Sequence, residues 1–563
     1  MSSLDWIIMG VTLLAIIIYG VIQSKGQKDA NTFILAGGSI PWHTVLIGIM
    51  ATQASAITFL SGPGQAYSDG MRFIQYYFGL PIAMVLVAAI FVPIFRKSNV
   101  FTAYEYLDQR FDKKTRLFTG ILFLFSRGVS TGFSIYAPAI ILTTLLHLNI
   151  NISILLVGGM LIIYSYMGGA VAIAKTQKIQ FAIIISAMIV AGILIIKSLP
   201  TGVGFNDALF IAGKAGKLNV ITTKFDIKDQ YNIWSGIIGG FFLSLSYFGT
   251  DQSQVGRYLS AKDATESKLG LLLNGMVKIP MQFGILLIGA LLFSFYTFHK
   301  APISFNPKTA DVVSLHNPTF YQTLSIQYNL YAEQSTRAVT DALSLHKMGN
   351  NPIATNNAIA TFQENQKEMK HLRDSLSNYI SDNHLNVEPK DTNYIFLHYV
   401  KNYLPVGMIG VLMAVVFLAS WGSIAAALNS LASSSLIDFQ KVIFPNSLNK
   451  ENELKYARLH TLLWGIFGII IAMFATQMDS LIEAVNKLGS LFYGTILGIF
   501  LTAFFIKRIK GTAVFIAAIL SELCICYIYY KDVVAFLWLN MIGALLVCLF
   551  AIMIQPILNS KKK

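Results

Sequence analysis

Ala51-Thr-Gln-Ala-Ser-Ala-Ile-Thr58, followed by Ser61-Gly-Pro-Gly64, interrupts an apolar run that otherwise reads as a membrane-spanning helix. Ser244-Leu-Ser-Tyr-Phe-Gly-Thr-Asp-Gln252 does the same to a second run, five helices later. A helix unwound inside a bilayer frees carbonyls for a cation and amides for a substrate, and such backbone is tolerated where it lines a cavity. Paired broken helices at matching places in two halves of a chain point to an inverted-repeat transporter with a central site. Small residues also let helices pack closely, which accounts for one such stretch more readily than for two.

The rest of the composition agrees with a membrane setting. The chain has 563 residues, 55% of them hydrophobic and 12% charged, and its mean hydropathy of +0.59 is too high for soluble domains of this size. Lipid is therefore the main solvent. The net charge of +14 comes from basic residues clustered between apolar runs, where the positive-inside rule places them, so nucleic acid is excluded as a partner. Cys524, Cys526 and Cys548 lie in apolar runs without metal-ligand spacing. The opening Met1-Ser-Ser-Leu-Asp-Trp6 carries an acid where a signal peptide carries lysine, so the first run reads as a retained anchor.

Runs near the roughly 20 residues a span requires occur about 13 times. They are 6–23, 40–59, 73–95, 117–145, 152–167, 179–199, 233–249, 271–298, 408–436, 459–475, 481–506, 512–530 and 533–557. The predicted fold is thus all-α, with an anchor helix over 1–24, core helices 1–7 over 40–300, core helices 8–10 over 403–506 and two further helices over 511–563. Arg96, Lys97, Arg110, Lys113, Lys114, Arg116, Lys441, Lys455, Arg458, Lys507, Arg508, Lys510 and Lys561 to Lys563 fall on one side. That bias puts the C-terminus in the cytoplasm and the N-terminus outside a multi-pass inner (plasma) membrane protein. The polar segment 301–402 then lies outside. Apolar residues recur on one face of each arm (Phe320, Leu324, Tyr331, Ala338, Ala342 and Leu345; Ile359, Phe362, Met369, Leu372, Leu376 and Ile380), with Gly349-Asn-Asn-Pro352 between. This predicts a helical hairpin, either a solvated decoration or a lid or partner-docking element.

The sequence resembles the sodium:solute symporter family, whose members share the leucine-transporter inverted-repeat fold. The resemblance is carried by Phe33-Ile-Leu-Ala-Gly-Gly38, Tyr67-Ser-Asp-Gly70, Tyr106-Leu-Asp-Gln-Arg-Phe111, Tyr136-Ala-Pro-Ala139, Gly168-Gly169, Gly249-Thr-Asp-Gln252, Arg257-Tyr-Leu-Ser260 and Ala427-Leu-Asn-Ser430, leading to Asp438. It implies a coupling Na⁺ held by carbonyls of helix 1 at Ala51 and Ala54 and by helix 8 at Ala419, Gly422 and Ser423. Relatives place two adjacent hydroxyls in helix 8, and Gly422 replaces the first. A second sodium would need an aspartate where Gln177 stands and serines where Ala425 and Ala426 stand, so one ion per turnover is expected.

The same resemblance places the solute among helices 1, 2, 3, 6, 7 and 10, with Gln53, Ser55, Thr58, Tyr77, Ser130, Ser244 and Tyr247 as candidate contacts. Sugar carriers of the family use a glutamine and a glutamate where this chain has Thr58 and Tyr77. Sialic acid carriers use helix 1 hydroxyls, matching Ser55 and Thr58, and an arginine at the position of Ser130. Arg127 stands one turn away, about 15 Å into its span by helix rise. An arginine at that depth costs roughly 2.5–3.5 kcal/mol and faces an aqueous or ligand path unless it snorkels. Its fork suits a carboxylate. Lys278 matches a substrate-contacting lysine of sugar carriers, and Tyr247 a gating tyrosine.

These readings give a sodium-coupled importer of a small, acidic organic solute, working by alternating access and not an enzyme. A neutral sugar or polyol symporter and a non-transporting ligand sensor remain the alternatives. The chain lacks a nucleotide-binding GxxxxGK[ST] loop and a ring of filter carbonyls or pore acids, which argues against a pump and a channel.

Overall fold

The computed structural model describes residues 1–24, 29–146, 148–349, 351–445, 450–475 and 481–560. Asn350 and the basic tail Lys561 to Lys563 lie outside the described residues. Among those described, the regular structure is helical apart from one bridge between Ile40 and Ala261. The helices used below are α1 (Ser3–Ser24), α2 (Trp42–Gln53), α3 (Ala56–Asp69), α4 (Lys113–Leu146), α5 (Ile150–Lys197), α6 (Gly240–Thr250), α7 (Gln252–Leu259), α8 (Ala264–Phe298), α9 (Pro318–Met348), α10 (Pro352–Asp382), α11 (Met408–Ser434), α12 (Lys450–Phe474), α13 (Leu481–Phe505), α14 (Gly511–Tyr530) and α15 (Phe536–Ser560).

Among the described residues, ten helices are long and apolar enough to cross a membrane, and the bent pair α2/α3 makes an eleventh if it is one span. The sequence counts about 13 runs, and two local features account for the difference. Runs 152–167 and 179–199 both fall within α5, which is counted once although it is two helical halves joined across a non-helical break at Gly169 (φ 57°, ψ 178°), a conformation open to glycine. Run 233–249 stops just before the break at Asp251 (ψ 119°), and α6 and α7 on either side of it are each too short to cross.

The first broken helix parts at Ala54 (ψ 76°) and Ser55 (ψ 176°), and α3 leaves α2 at 60°. Ala51, Ala54 and Ala56 around the break are buried, and their small side chains let α11 pack against both halves. α11 itself is buried over almost its whole length. It is the axis of the bundle, touching α1, α4, α5 and α12.

Several family motifs turn out to be hydrogen-bonded joints. Asn429 of Ala427-Leu-Asn-Ser430 donates to the Phe33 carbonyl at 3.0 Å. Arg116 reaches Asp108 at 3.1 Å and Asp438 at 3.0 Å, and Asp438 also accepts from Thr102 at 2.7 Å. The Asp5 carboxylate near the start of α1 accepts the Gly407 and Gly410 amides at 2.6 and 3.2 Å, satisfying otherwise orphaned donors at the N-terminus of α11.

The hairpin arms are α9 and α10, each 31 residues long. Asn317 and Asn351 cap them from the side chain, each followed by a proline at the first helical position, and Gly349 (φ 69°) ends the first arm. The arms share a core of Leu324, Tyr328, Leu372, Leu376 and Ile380. Lower down, Ala338, Val339, Leu343 and Phe362 pack on Ile211 and on Phe293 of α8. Arg373 is a pin between hairpin and bundle, donating to the Pro302 carbonyl at 2.9 Å with its guanidinium 4.8 Å from the Phe305 ring. The segment after α10 then lies on α3. Gly64 is needed there, because a Cβ would come within 1.9 Å of the Thr392 carbonyl oxygen.

Candidate functional site

The two breaks and the middle of α4 enclose a cavity of about 110 Å³. Eight of the nine candidate solute contacts line it: Gln53, Ser55 and Thr58 from the first broken helix, Tyr77 from the following segment, Arg127 and Ser130 from α4, and Ser244 and Tyr247 from α6. Lys278 does not. It is wholly buried on α8 behind Tyr77, its Nζ 5.2 Å from that ring and without a hydrogen-bond partner among the described residues. Thr131, Ser134, Tyr76, Asn486 and Tyr493 also line the cavity and went unnoticed in the sequence. Their hydroxyl and amide groups were hidden in runs that read simply as spans.

The cavity is closed at both ends by hydrogen bonds. At one end, Tyr76 Oη donates to Asn486 Oδ1 at 3.1 Å, and Gln65 Nε2 approaches Glu483 at 3.4 Å. At the other, Arg127 Nη2 is ion-paired to Asp251 Oδ2 and also donates to Tyr493 Oη at 2.9 Å. Tyr493 in turn donates to Asp251 Oδ2 at 2.9 Å, and the Tyr247 ring lies 5.3 Å from the guanidinium. Asp251 Oδ1 accepts from Ser253 N at 2.8 Å and Ser253 Oγ at 2.6 Å, capping α7. Charge counting offered a signal for this pair: Arg127 and Asp251 are an isolated cation and an isolated acid within apolar runs, and membrane interiors favour such groups in pairs.

The candidate sodium ligands gather where α2 ends against α11. Ser423 lines the cavity, and its Oγ donates to the Ala419 carbonyl at 2.9 Å, so two of the candidate oxygens are already neighbours. Ala51 and Ala54 stand at the edge of the helix break. Oxygen donors of this kind suit a hard cation. Gly422 differs from the other four, because its carbonyl accepts from Gln177 Nε2 at 2.9 Å. A Cβ on Gly422 would stand 2.8 Å from Gln180 Oε1. Glutamine side chains from α5 thus pack directly on Gly422, and Ala425 and Ala426 nearby are buried without a side-chain oxygen.

Sequence comparison assigns this geometry to a lineage. The family model for the Sodium:solute symporter family matches residues 33–326 and 378–521. The chain belongs to this sodium:solute symporter family. The match passes over 327–377, most of the hairpin, which is an addition to the family pattern. The sodium/sialic acid symporter NanT of Aliivibrio fischeri is 24% identical over 99% of this chain and 94% of its own. The human sodium-coupled monocarboxylate transporter 1 is 30% identical over 47% of this chain and 43% of its own. Among solved structures, the substrate-bound outward-open state of a Na⁺-coupled sialic acid symporter superposes with a TM-score of 0.76 at 22% identity, covering 99% of this chain and 98% of that one. The fold is therefore the leucine-transporter type, and this symporter couples solute movement to sodium.

Proposed function

We propose that this symporter imports a small organic acid together with sodium across the plasma membrane, with the N-terminus and the hairpin outside. The observation that carries the reading is the place of Arg127, whose side chain lines the cavity from the middle of α4. A buried arginine at that depth faces an aqueous or ligand path, and its guanidinium fork suits a carboxylate. The named solutes of the relatives, sialic acid, iodide and monocarboxylates, are anions too, which supports the same class.

Sodium bound by Ala51, Ala54, Ala419 and Ser423 would stiffen the first break, and Ser55, Thr58, Ser130 and Ser244 would hold the polar groups of the solute. At about 110 Å³ the closed cavity is below the roughly 300 Å³ at which ligand pockets begin, so an acidic sugar requires it to widen. The test is uptake into proteoliposomes under an inward sodium gradient, with labelled lactate, sialic acid and glucose in parallel. Sodium-dependent uptake of an acid is expected. Uptake of glucose alone would favour the neutral-sugar alternative, and binding without uptake would favour a sensor.

A further inference from the structure

We infer that Asp251 is an internal competitor for the solute's carboxylate, so that an acidic solute releases the cavity floor by taking Arg127 from it. This rests on the proposed acidic class of solute. Asp251 is buried and does not line the cavity, whereas Arg127, Tyr247 and Tyr493 do. Arg127 therefore lies between two positions for a carboxylate, Asp251 below it and the cavity above. Its Nη2 is committed to Asp251 and Tyr493, and its buried Nε has no partner among the described residues.

A guanidinium binds a carboxylate best through two parallel N–H bonds. With Nη2 committed, that fork is incomplete towards the cavity, and gripping a solute carboxylate with both arms requires letting Asp251 go. Asp251 would not be left adrift. Its other oxygen still caps α7 through Ser253, so the carboxylate would move with the inner half of the broken helix. Tyr493, bonded to both members of the pair, hands the hydrogen bond over. Occupation of the cavity and opening of its floor thereby become one event. A neutral analogue of the same shape fits the cavity but leaves the Arg127–Asp251 pair intact.

The experiment uses the full-length protein in detergent at saturating sodium, with calorimetric affinities for lactate against lactamide and for sialic acid against its methyl ester. Asp251→Asn keeps an acceptor for the α7 cap and removes the competing charge. It is expected to bind the acid at least tenfold more tightly while the neutral analogue is unaffected, and Arg127→Gln in the same background should erase the gain. An acid-to-neutral affinity ratio that is unchanged or lowered in Asp251→Asn overturns the inference. Should that variant fail to fold, Tyr493→Phe, which removes only the bridging hydroxyl, must raise the ratio, and a flat ratio overturns it equally. A wild-type protein with no preference for the acid sinks the proposed function, and this inference with it; a wild type that prefers the acid with a flat ratio in the variants sinks this inference alone.

Discussion

Asn486 and Tyr493 stand two turns apart on α13, about 10 Å by helix rise, and hold the two ends of the same cavity shut. The closures are unequal. Asn486 accepts one neutral hydrogen bond, worth about 0.5–1.5 kcal/mol. Tyr493 bridges a buried ion pair, and removing one member of such a pair costs about 3–5 kcal/mol. The Tyr76 end is thus the easier to open.

That asymmetry predicts different outcomes at the two ends. Asn486→Ala should make a cysteine at Thr58 a few-fold more reactive to an impermeant thiol reagent applied from outside, in a background lacking Cys524, Cys526 and Cys548. Arg127→Gln should expose the same cysteine from the cytoplasmic side, with a larger change. Equal reactivity from both sides in the two variants would contradict the assignment of the ends.

At the sodium site, Ser423→Ala should raise the sodium concentration for half-maximal uptake at least tenfold while the protein stays folded, because a contact to a charged group is worth about 1.5–3 kcal/mol. Gly422→Ser should lower it, since the new Cβ meets only side-chain atoms that can give way, Gln180 Oε1 at 2.8 Å and Gln177 Cγ at 3.3 Å. A sodium curve that neither substitution moves would take α11 out of the site.

One sodium per turnover is the expected outcome, with the Gln177 amide placed on the Gly422 carbonyl. Flux ratios of labelled sodium and solute in proteoliposomes should be near one, and with a monovalent anion the cycle should move no net charge. A ratio near two is incompatible with this arrangement.

Outside the membrane spans, the segment after α10 carries a pH-sensitive contact. Burial pushes the Glu388 carboxyl from 4.5 up to about 7, with Asp391 adding to the rise against hydrogen bonds from Tyr136 and Tyr394. A carboxyl whose value is raised in the fold stabilises docking fully below about 4.5 and loses that contribution as pH rises through about 7. Amide exchange in residues 385–397, corrected for intrinsic rate, should therefore increase between pH 5 and pH 8. In Glu388→Gln it should be flat across that range.

The parts of this architecture that depend on local sequence were legible. Small and polar residues inside an apolar run marked the breaks at Ala54 and Asp251, and proline, glycine and asparagine marked the hairpin turn. The resemblance to the family brought eight cavity-lining residues together before any coordinates. What stayed hidden depends on distant partners. Arg127 reads alone as a carboxylate anchor, and only the fold brings it Asp251, 124 residues away. Lys278 keeps its register on α8, yet Tyr77 stands between it and the cavity. Gly422 reads as a missing ligand, while the fold shows its carbonyl engaged by Gln177.

The Asp5 contact bears on how the molecule is assembled. Asp5 and Gly407 are 402 residues apart, so at about 5–20 residues per second the ribosome needs roughly 20–80 s to deliver the amides that Asp5 receives. Until then the Asp5 carboxylate is held only by Ser2 N and Ser2 Oγ, both at 2.8 Å, and α1 has α5 to rest on but not yet α11. The earliest-made helix is consequently tied to the bundle axis only late in synthesis, and Asp5→Asn should appear as a slower approach to the protease-resistant form during synthesis, with the cavity of the finished protein unchanged.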